Sequence, residues 1–240
     1  MAENGRTIYI RADGNGQIGM GHIMRCLSIA YALRQEGGDV CFILAGDEAA
    51  ETVKKAGFPC RVLGTEYCRM DEEIPVLERL LHREKRKNQK AGAENSQATE
   101  KECLFLVDSY AVTEHYLRTL GEWGKVAYMD DVNAFPYPVD VVINGNIYGA
   151  GMDYSACGPH TEVLGGPAFA PLRPEFELHR GERVEEYLLV TTGGSDPYQL
   201  AEKIVAGLLG EPWMEQEKIC VVCGRFSQSA PQLRAMAKQE

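Results

Sequence analysis

The apolar positions of the chain form short runs rich in Val, Ile and Tyr, which alternate with segments of helical period. A short apolar run between turn residues is typical of a buried strand, and apolar residues three and four apart are typical of an amphipathic helix. We predict strands at Thr7–Ile10, Val40–Leu44, Arg61–Leu63, Leu104–Val107, Val126–Met129, Val141–Ile143 and Glu162–Leu164. We predict helices at His22–Glu36, Ala49–Ala56, Glu72–Leu81 and Glu114–Leu120. This alternation predicts an α/β fold with a mostly parallel sheet covered by helices on both faces.

Two segments interrupt this pattern. From His82 to Glu102 the chain is polar and almost without large apolar side chains, which predicts a flexible insertion over 82–102. A Pro-containing segment and a charged run then precede a new unit: strand Tyr187–Thr191, a glycine turn, helix Tyr198–Leu209 and strand Lys218–Val222. One β-α-β unit is too small to close a stable sheet alone. We therefore predict a first domain over 1–178 and, over 185–240, the start of a second domain that is only partly present.

Composition narrows the function classes. The chain has 25 Lys and Arg against 35 Asp and Glu, for a net charge of -10, which argues against nucleic acid as a partner. There is no apolar stretch of about 18 residues, so we expect no membrane span. The N-terminus lacks signal-peptide features and the eight cysteines lie mainly in core-like segments, which predicts a cytoplasmic protein with reduced thiols. The pair Cys220 and Cys223 lacks a second pair or a nearby His, so it is a poor zinc site.

The loop after the first predicted strand is rich in glycine. Gly14, Gly16 and Gly19 have the spacing of a dinucleotide-binding motif. That motif would start the helix near Gly16 and place Gly21 inside it, at a cost of about 1 kcal/mol relative to Ala. A longer loop that leads into a helix beginning at His22 fits the apolar period better. We therefore expect no nicotinamide or flavin cofactor.

His22 is the main candidate for chemistry. At a helix start and off the apolar face, its ring can point into the crevice at the carboxyl ends of the strands, where open α/β sheets bind ligands. The helix dipole favours a neutral imidazole there, which suits a general base. A capping histidine without chemistry is equally compatible with the residue type. Asp13 closes the first strand and is a candidate to orient the imidazole, although a role in the turn explains it as well.

Two further motifs have more than one interpretation. Asp130 and Asp131 are either paired carboxylates of an acid–base or metal site, or residues that stabilise a turn, and the turn is favoured. Gly193, Gly194 and Ser195 precede a helix and form a candidate nest for a pyrophosphate, with a simple strand–helix turn as the alternative.

Several ordered motifs resemble one known family. The segment Gln17–Leu27, preceded by Arg11–Asp13, resembles the opening of the UDP-2,4-diacetamido-2,4,6-trideoxy-β-L-altropyranose hydrolases of bacterial pseudaminic acid biosynthesis. Further similar segments follow in the family's order: Val107–Tyr110, Met129–Asp131, Val141–Asn146, Leu164–Phe176 and Thr192–Pro197. The resemblance spans nearly the whole chain except 82–102.

The resemblance implies a GT-B-like fold of two Rossmann-like domains, with the sugar over the first and UDP mainly on the second. It implies metal-free hydrolysis of the sugar C1–O bond of a UDP-sugar, with no cofactor and with His22 as the base that activates water. Tyr110 matches the tyrosine that lies in the family's sugar pocket. The resemblance and the turn chemistry together assign substrate binding to Gly19, Gly21, Arg25, Asn146, Arg173, Gly193, Gly194, Ser195 and Asp196.

Two other functions stay open at this point. A GT-B glycosyltransferase would use the same donor, with an acceptor hydroxyl in place of water. A non-catalytic nucleotide-sugar-binding fragment is the alternative from a different class.

Overall fold

A parallel sheet dominates the first part of the chain. The computed structural model describes residues 7–90, 103–178, 186–224 and 226–237. Within these residues, seven strands pair in the order β3-β2-β1-β4-β5-β6-β7, and every pairing in this sheet is parallel. The strands are β1 (Thr7–Ala12), β2 (Asp39–Leu44), β3 (Cys60–Val62), β4 (Cys103–Asp108), β5 (Gly124–Met129), β6 (Val141–Asn144) and β7 (Glu162–Gly165). The predicted mostly parallel α/β fold is confirmed.

Helices connect the strands and cover the sheet. They are α1 (Gly21–Gln35), α2 (Ala50–Lys55), α3 (Met70–Lys90) and α4 (Glu114–Trp123). Strand β2 is buried at every position after Asp39, which is typical of a strand in a parallel sheet covered on both faces. Thr113 caps α4, since its side chain accepts a hydrogen bond from the backbone N–H of Tyr116.

Helix α3 is longer than its apolar period predicts. The sequence predicts a helix over Glu72–Leu81 and a flexible insertion from His82, but α3 begins at Met70 and continues to Lys90. Residues 82–90 therefore continue the helix, 91–102 lies outside the described residues, and the flexibility of 82–102 stays a prediction. Arg, Glu and Lys have high helix propensity, so this segment can continue the helix although it has no apolar side chains that could pack against the sheet.

The chain divides into two compact units. The first is Met1–Asp13 with His22–Arg173, and the second is Gly14–Gly21 with Pro174–Glu240. The second unit contains α5 (Glu175–Leu178), β8 (Leu188–Thr191), α6 (Leu200–Leu209), β9 (Ile219–Val222) and α7 (Ala230–Met236). Strands β8 and β9 pair in parallel, as the predicted β-α-β unit requires. The predicted domain boundary falls on 179–185, outside the described residues, and stays a prediction.

No helix in the described ranges is both apolar enough and long enough to span a membrane.

Candidate functional site

The order of the sheet brings polar residues together at its carboxyl edge. From β1 the chain proceeds to β2 and β3 on one side, whereas β4 to β7 extend on the other side. Between β1 and β4 lies the topological switch point, where open α/β sheets form their ligand crevice. Asp108 is the last residue of β4, and Asp130 and Asp131 follow β5. Asn144 ends β6 at the same edge.

His22 and Asp108 form a buried pair at this switch point. Helix α1 begins at Gly21, one residue before the predicted start, so His22 lies in its first turn. His22 Nδ1 is 2.6 Å from Asp108 Oδ1, and the Asp108 side chain is fully buried. An ionised carboxylate only accepts hydrogen bonds, so Nδ1 carries a proton, and in a neutral imidazole the lone pair is then on Nε2.

The second ring nitrogen of His22, Nε2, is not fully enclosed by the protein. No hydrogen bond joins Nε2 to any residue in the described part of the chain, where Thr65 Oγ1 is the buried polar side-chain atom without a partner. Nε2 is therefore not among the fully buried atoms, and the His22 side chain is 10% exposed. This arrangement of an oriented imidazole with an accessible lone pair is suited to general base catalysis.

Three side chains of α1 hold the Asp108 carboxylate. His22, Arg25 and Cys26 lie three and four residues apart and therefore share one face of the helix. Arg25 donates from Nε to Oδ2 and from Nη2 to Oδ1, both at 2.6 Å, and Cys26 Sγ lies 3.4 Å from Oδ2. Burial opposes ionisation of Asp108, but the hydrogen bonds from Arg25 and His22 and the charge of Arg25 outweigh it and lower its pKa.

Asp131 links Arg25 to the outer face of the site. Arg25 Nη1 donates to both Asp131 oxygens, at 3.0 and 2.8 Å. The hydroxyl of Tyr110 donates to Oδ2 at 2.7 Å, and Asn146 Nδ2 donates to Oδ1 at 2.8 Å. Burial opposes ionisation of Asp131, but the bonds from Tyr110, Arg25 and Asn146 lower its pKa. Tyr110 also contacts His22 edge to face, with the ring centroids 4.8 Å apart.

The structure separates the roles of the tandem aspartates. Asp130 is buried and accepts hydrogen bonds from the backbone of Asn133 and from the hydroxyls of Tyr137 and Tyr154, at 2.7 and 2.5 Å. The favoured turn interpretation is confirmed for Asp130. It is wrong for Asp131, whose carboxylate instead binds Arg25 and the two side chains beside it.

The prediction that Asp13 orients the imidazole is wrong. Asp13 is buried, pairs with Arg11 and accepts a hydrogen bond from the backbone N–H of Ala45 at 2.8 Å. Asp108 takes the orienting position on His22. The sequence did not identify Asp108 as a residue of the candidate site, although its position at the end of an apolar strand is the signal that points to the carboxyl edge.

The two glycines of the first loop differ in conformation. Gly19 has a φ of 72°, in the region that favours glycine, and its backbone exchanges two hydrogen bonds with Asn15. Gly21 is not among the residues with positive φ and is the first residue of α1. Of these two glycines, therefore, Gly19 adopts the left-handed conformation and Gly21 does not.

The glycine turn of the second unit also has a defined geometry. Gly193 has a φ of 77°, and a Cβ added to Gly194 would lie 3.1 Å from the backbone N of Met20. Asp196, predicted to bind substrate, accepts hydrogen bonds from the backbone N–H groups of Leu200 and Ala201 at 2.8 and 3.1 Å. It therefore caps α6 and occupies two of the amides that a phosphate would use at this helix start.

The remaining predicted contacts are on the surface or partly buried. Arg173 is exposed and Ser195 is half-buried. Substrate binding by these two residues, and by Gly19, Gly21, Arg25, Asn146, Gly193, Gly194 and Asp196, stays a prediction.

The cysteines and the potential metal ligands were compared for disulfide bonds and for clusters that could hold a metal ion. All eight cysteines are free, so the predicted thiols form no disulfide. Over 7–90, 103–178, 186–224 and 226–237, no group of three or more His, Cys, Asp or Glu side chains is placed to hold a metal ion.

Comparison with solved structures defines the class of fold. The chain superposes on the MurG protein of Acinetobacter baumannii with a TM-score of 0.53 and 15% identity, over 97% of this chain and 62% of MurG. The fold is the Rossmann-like α/β fold of GT-B glycosyltransferases.

Two curated proteins resemble the chain in sequence. A UDP-2,4-diacetamido-2,4,6-trideoxy-β-L-altropyranose hydrolase of Campylobacter jejuni is 26% identical over 236 residues, which cover 96% of this chain and 73% of the relative. An uncharacterised protein of Methanocaldococcus jannaschii is 26% identical over 245 residues, which cover 97% of this chain and 45% of that protein. No family model matches the chain.

Proposed function

We propose that the protein hydrolyses a UDP-linked 2,4-diacetamido-2,4,6-trideoxy sugar at C1, with His22 as the base that activates water. The observation that carries the proposal is the His22–Asp108 pair at the switch point, in which Nε2 has no hydrogen bond to the described residues. The hydrolase name of the Campylobacter relative supports the same substrate class.

The reaction needs one proton transfer to the protein. A water oxygen attacks C1 of the sugar while the C1–O bond to UDP breaks, and the bonding electrons leave with the UDP oxygen. His22 Nε2 accepts the proton from the attacking water. Asp108 fixes the tautomer through Nδ1–H and stabilises the imidazolium that forms. A base in this position contributes typically 10²- to 10⁴-fold to the rate.

The residues around the pair have supporting roles in this proposal. Arg25 forms ion pairs with both Asp108 and Asp131, and Asp131 in turn accepts a hydrogen bond from the hydroxyl of Tyr110, whose ring contacts His22. In this proposal the pyrophosphate binds to the backbone N–H groups of Gly193, Gly194 and Ser195. The amides of Leu200 and Ala201 do not take part, since they already donate to Asp196.

A glycosyltransferase is the second candidate. The likeness of the fold to MurG favours it, since the same base can deprotonate an acceptor hydroxyl instead of water. The two functions differ in the product, which is a free sugar in one case and a glycoside in the other.

Substitution of the pair separates catalysis from binding. UDP release from UDP-2,4-diacetamido-2,4,6-trideoxyaltrose is measured at saturating substrate for the wild type, His22→Ala and Asp108→Asn, and UDP affinity is measured by calorimetry. We expect turnover to fall about 10²- to 10⁴-fold in His22→Ala with UDP affinity nearly unchanged, because a general base adds little to ground-state binding. The control is His115→Ala, which removes an exposed histidine of α4.

Each outcome bears on the assignment. Near-normal turnover in His22→Ala refutes His22 as the base. Loss of UDP affinity together with turnover assigns His22 to phosphate contact or to structure. Product formed only with an added acceptor supports the glycosyltransferase, and UDP-sugar binding without any turnover supports a binding protein.

A further inference from the structure

A chain of hydrogen bonds joins the two aspartates that follow β5. The Tyr154 hydroxyl donates to Asp130 Oδ2 at 2.5 Å, and Asn144 Nδ2 donates to the same hydroxyl at 2.8 Å. Asn146 Nδ2 donates to Asn144 Oδ1 at 2.9 Å and to Asp131 Oδ1 at 2.8 Å. We call Tyr154, Asn144 and Asn146 the bridging residues, because their side chains connect Asp130 to Asp131.

The numbers of donors and acceptors fix the direction of every bond in this chain. An ionised carboxylate only accepts hydrogen bonds, so the single hydroxyl proton of Tyr154 points to Asp130 and its oxygen accepts from Asn144. The Asn144 amide therefore presents its NH2 group to Tyr154 and its oxygen to Asn146. Because Asn146 Nδ2 carries two protons, it can donate to Asn144 and to Asp131 at the same time.

The inner part of the chain is shielded from water. Asn144 ends β6 and is fully buried, and Tyr154 is 5% exposed, whereas Asn146 is half-buried. A buried polar group that loses its partner has no water to bond instead. The orientation of each side chain in this chain therefore depends on the side chain before it.

At its outer end the chain reaches the side chains around His22. Asp131 accepts a hydrogen bond from Asn146 and forms an ion pair with Arg25. It also accepts from the Tyr110 hydroxyl, and the Tyr110 ring contacts His22. Burial opposes ionisation of Asp131, but the hydrogen bonds from Tyr110 and the other two donors lower its pKa. If the Asn146 amide turned over, its oxygen would face the carboxylate and Asp131 would lose a donor.

We propose that Tyr154 and Asn144 are positioning residues for the His22 site. They orient the Asn146 amide, which holds the Asp131 carboxylate in place, and that carboxylate fixes the side chains beside His22. Their effect on turnover rests on the proposed function, because it takes His22 as the base. Their effect on Asp131 does not.

Two tyrosines that bind the same carboxylate provide matched variants. Tyr137 is fully buried and also donates its hydroxyl to Asp130, at 2.7 Å, but no hydrogen bond joins it to Asn144 among the described residues. Tyr154→Phe and Tyr137→Phe therefore each remove one donor to Asp130 and keep the ring. Only Tyr154→Phe breaks the chain that leads to Asp131.

NMR titration of the Asp131 carboxyl carbon measures the positioning without any substrate. We expect the pKa of Asp131 to rise toward its ordinary value in Tyr154→Phe and to stay at the wild-type value in Tyr137→Phe. We expect UDP release at saturating substrate to fall about tenfold in Tyr154→Phe, because misplaced catalytic groups slow the reaction, and to change less than about twofold in Tyr137→Phe. Urea unfolding of both variants serves as the control for stability.

The double variant Tyr154→Phe/Asn144→Ser tests whether the two residues act in one chain. We expect it to have the Asp131 pKa and the turnover of Asn144→Ser alone, because that substitution already breaks the chain. Additive effects, equal changes in Tyr154→Phe and Tyr137→Phe, or a wild-type Asp131 pKa in Tyr154→Phe overturns the inference. So does wild-type turnover in Tyr154→Phe when turnover requires His22. Normal turnover in His22→Ala overturns the proposed catalytic role, and the Asp131 titration then decides the positioning.

Discussion

Asp108 is the residue on which the site is built. It is fully buried, and its carboxylate accepts hydrogen bonds from His22, Arg25 and Cys26. A buried charge is tolerated only when it is paired and hydrogen-bonded, so Arg25 makes it possible for an ionised carboxylate to lie beside His22. His22 could be predicted from its glycine loop. Asp108 could not, because the contact joins residues that are 86 positions apart.

The two site aspartates make stability depend on acid pH. Their pKa values are lowered in the folded protein, so the folded state favours the carboxylate, and its contribution to stability is present above the unfolded pKa of about 3.9. That contribution is lost as the pH falls through the lower, folded pKa. We expect the free energy of unfolding to decrease below about pH 4, and to decrease less in Asp131→Asn. The free energy of unfolding is measured by urea unfolding, followed by circular dichroism, between pH 7 and pH 2.5. If Asp131→Asn has the same pH dependence as the wild type, Asp131 does not contribute to the loss of stability in acid.

At the scale of elements, helix α1 positions three side chains of the candidate site. The spacing of His22, Arg25 and Cys26 directs three donors to one carboxylate, and this follows from the helical period once the helix start is known. Strands were predictable because the central ones are apolar runs. Helix α7, Ala230–Met236, was not predicted, and the end of α3 was misplaced, because neither segment has a long apolar period.

The two glycines of the first loop should respond differently to alanine. Gly19→Ala places a side chain at a φ of 72°, which costs about 1 to 2 kcal/mol of stability. Gly21→Ala adds a methyl group to the first turn of α1 with no atom within 4 Å, so we expect it to be neutral or to stabilise by about 0.5 kcal/mol. Thermal and urea unfolding of both variants provide the measurement.

The turnover of the Gly19→Ala and Gly21→Ala variants tests whether the substrate contacts the backbone of this loop. A stable Gly21→Ala protein that loses turnover indicates that substrate approaches the backbone at Gly21. If Gly19→Ala is as stable as the wild type, the left-handed conformation at Gly19 is not required.

At the scale of the molecule, the strand order places the site. The alternation of strands and helices predicted a parallel sheet, but it contains no information on which strands are neighbours. The observed order makes β1 and β4 adjacent, with Ala12 opposite Asp108, and thereby brings α1 to the end of β4. Apolar patterning also says nothing about buried charges, and so the interaction of Arg11 with Glu73, 62 residues apart, was not predicted.

The buried charge cluster around Arg11 should be a main determinant of stability in the first unit. Arg11 Nε and Nη2 donate to the two oxygens of Glu73, at 2.7 and 2.8 Å, and the Tyr116 hydroxyl donates to Glu73 at 2.5 Å. This cluster joins β1 to α3 and α4 and includes Asp13. Glu73→Ala leaves Nε and Nη2 of the buried Arg11 and the buried Tyr116 hydroxyl without their acceptors, so we expect it to destabilise by about 3 kcal/mol or more.

Glu73→Gln is the matched variant, because it keeps the shape and one acceptor while Asp13 still pairs with Arg11. We expect it to cost clearly less than Glu73→Ala in urea unfolding, followed by tryptophan fluorescence, to which Trp123 on α4 and Trp213 contribute. Both variants retain the His22–Asp108 pair, since Glu73 contacts neither residue in the described hydrogen bonds. Equal stability of Glu73→Ala and the wild type would show that the cluster does not hold the helices to the sheet. Equal loss in both variants would show that the charge of Glu73, rather than its hydrogen bonds, stabilises the fold.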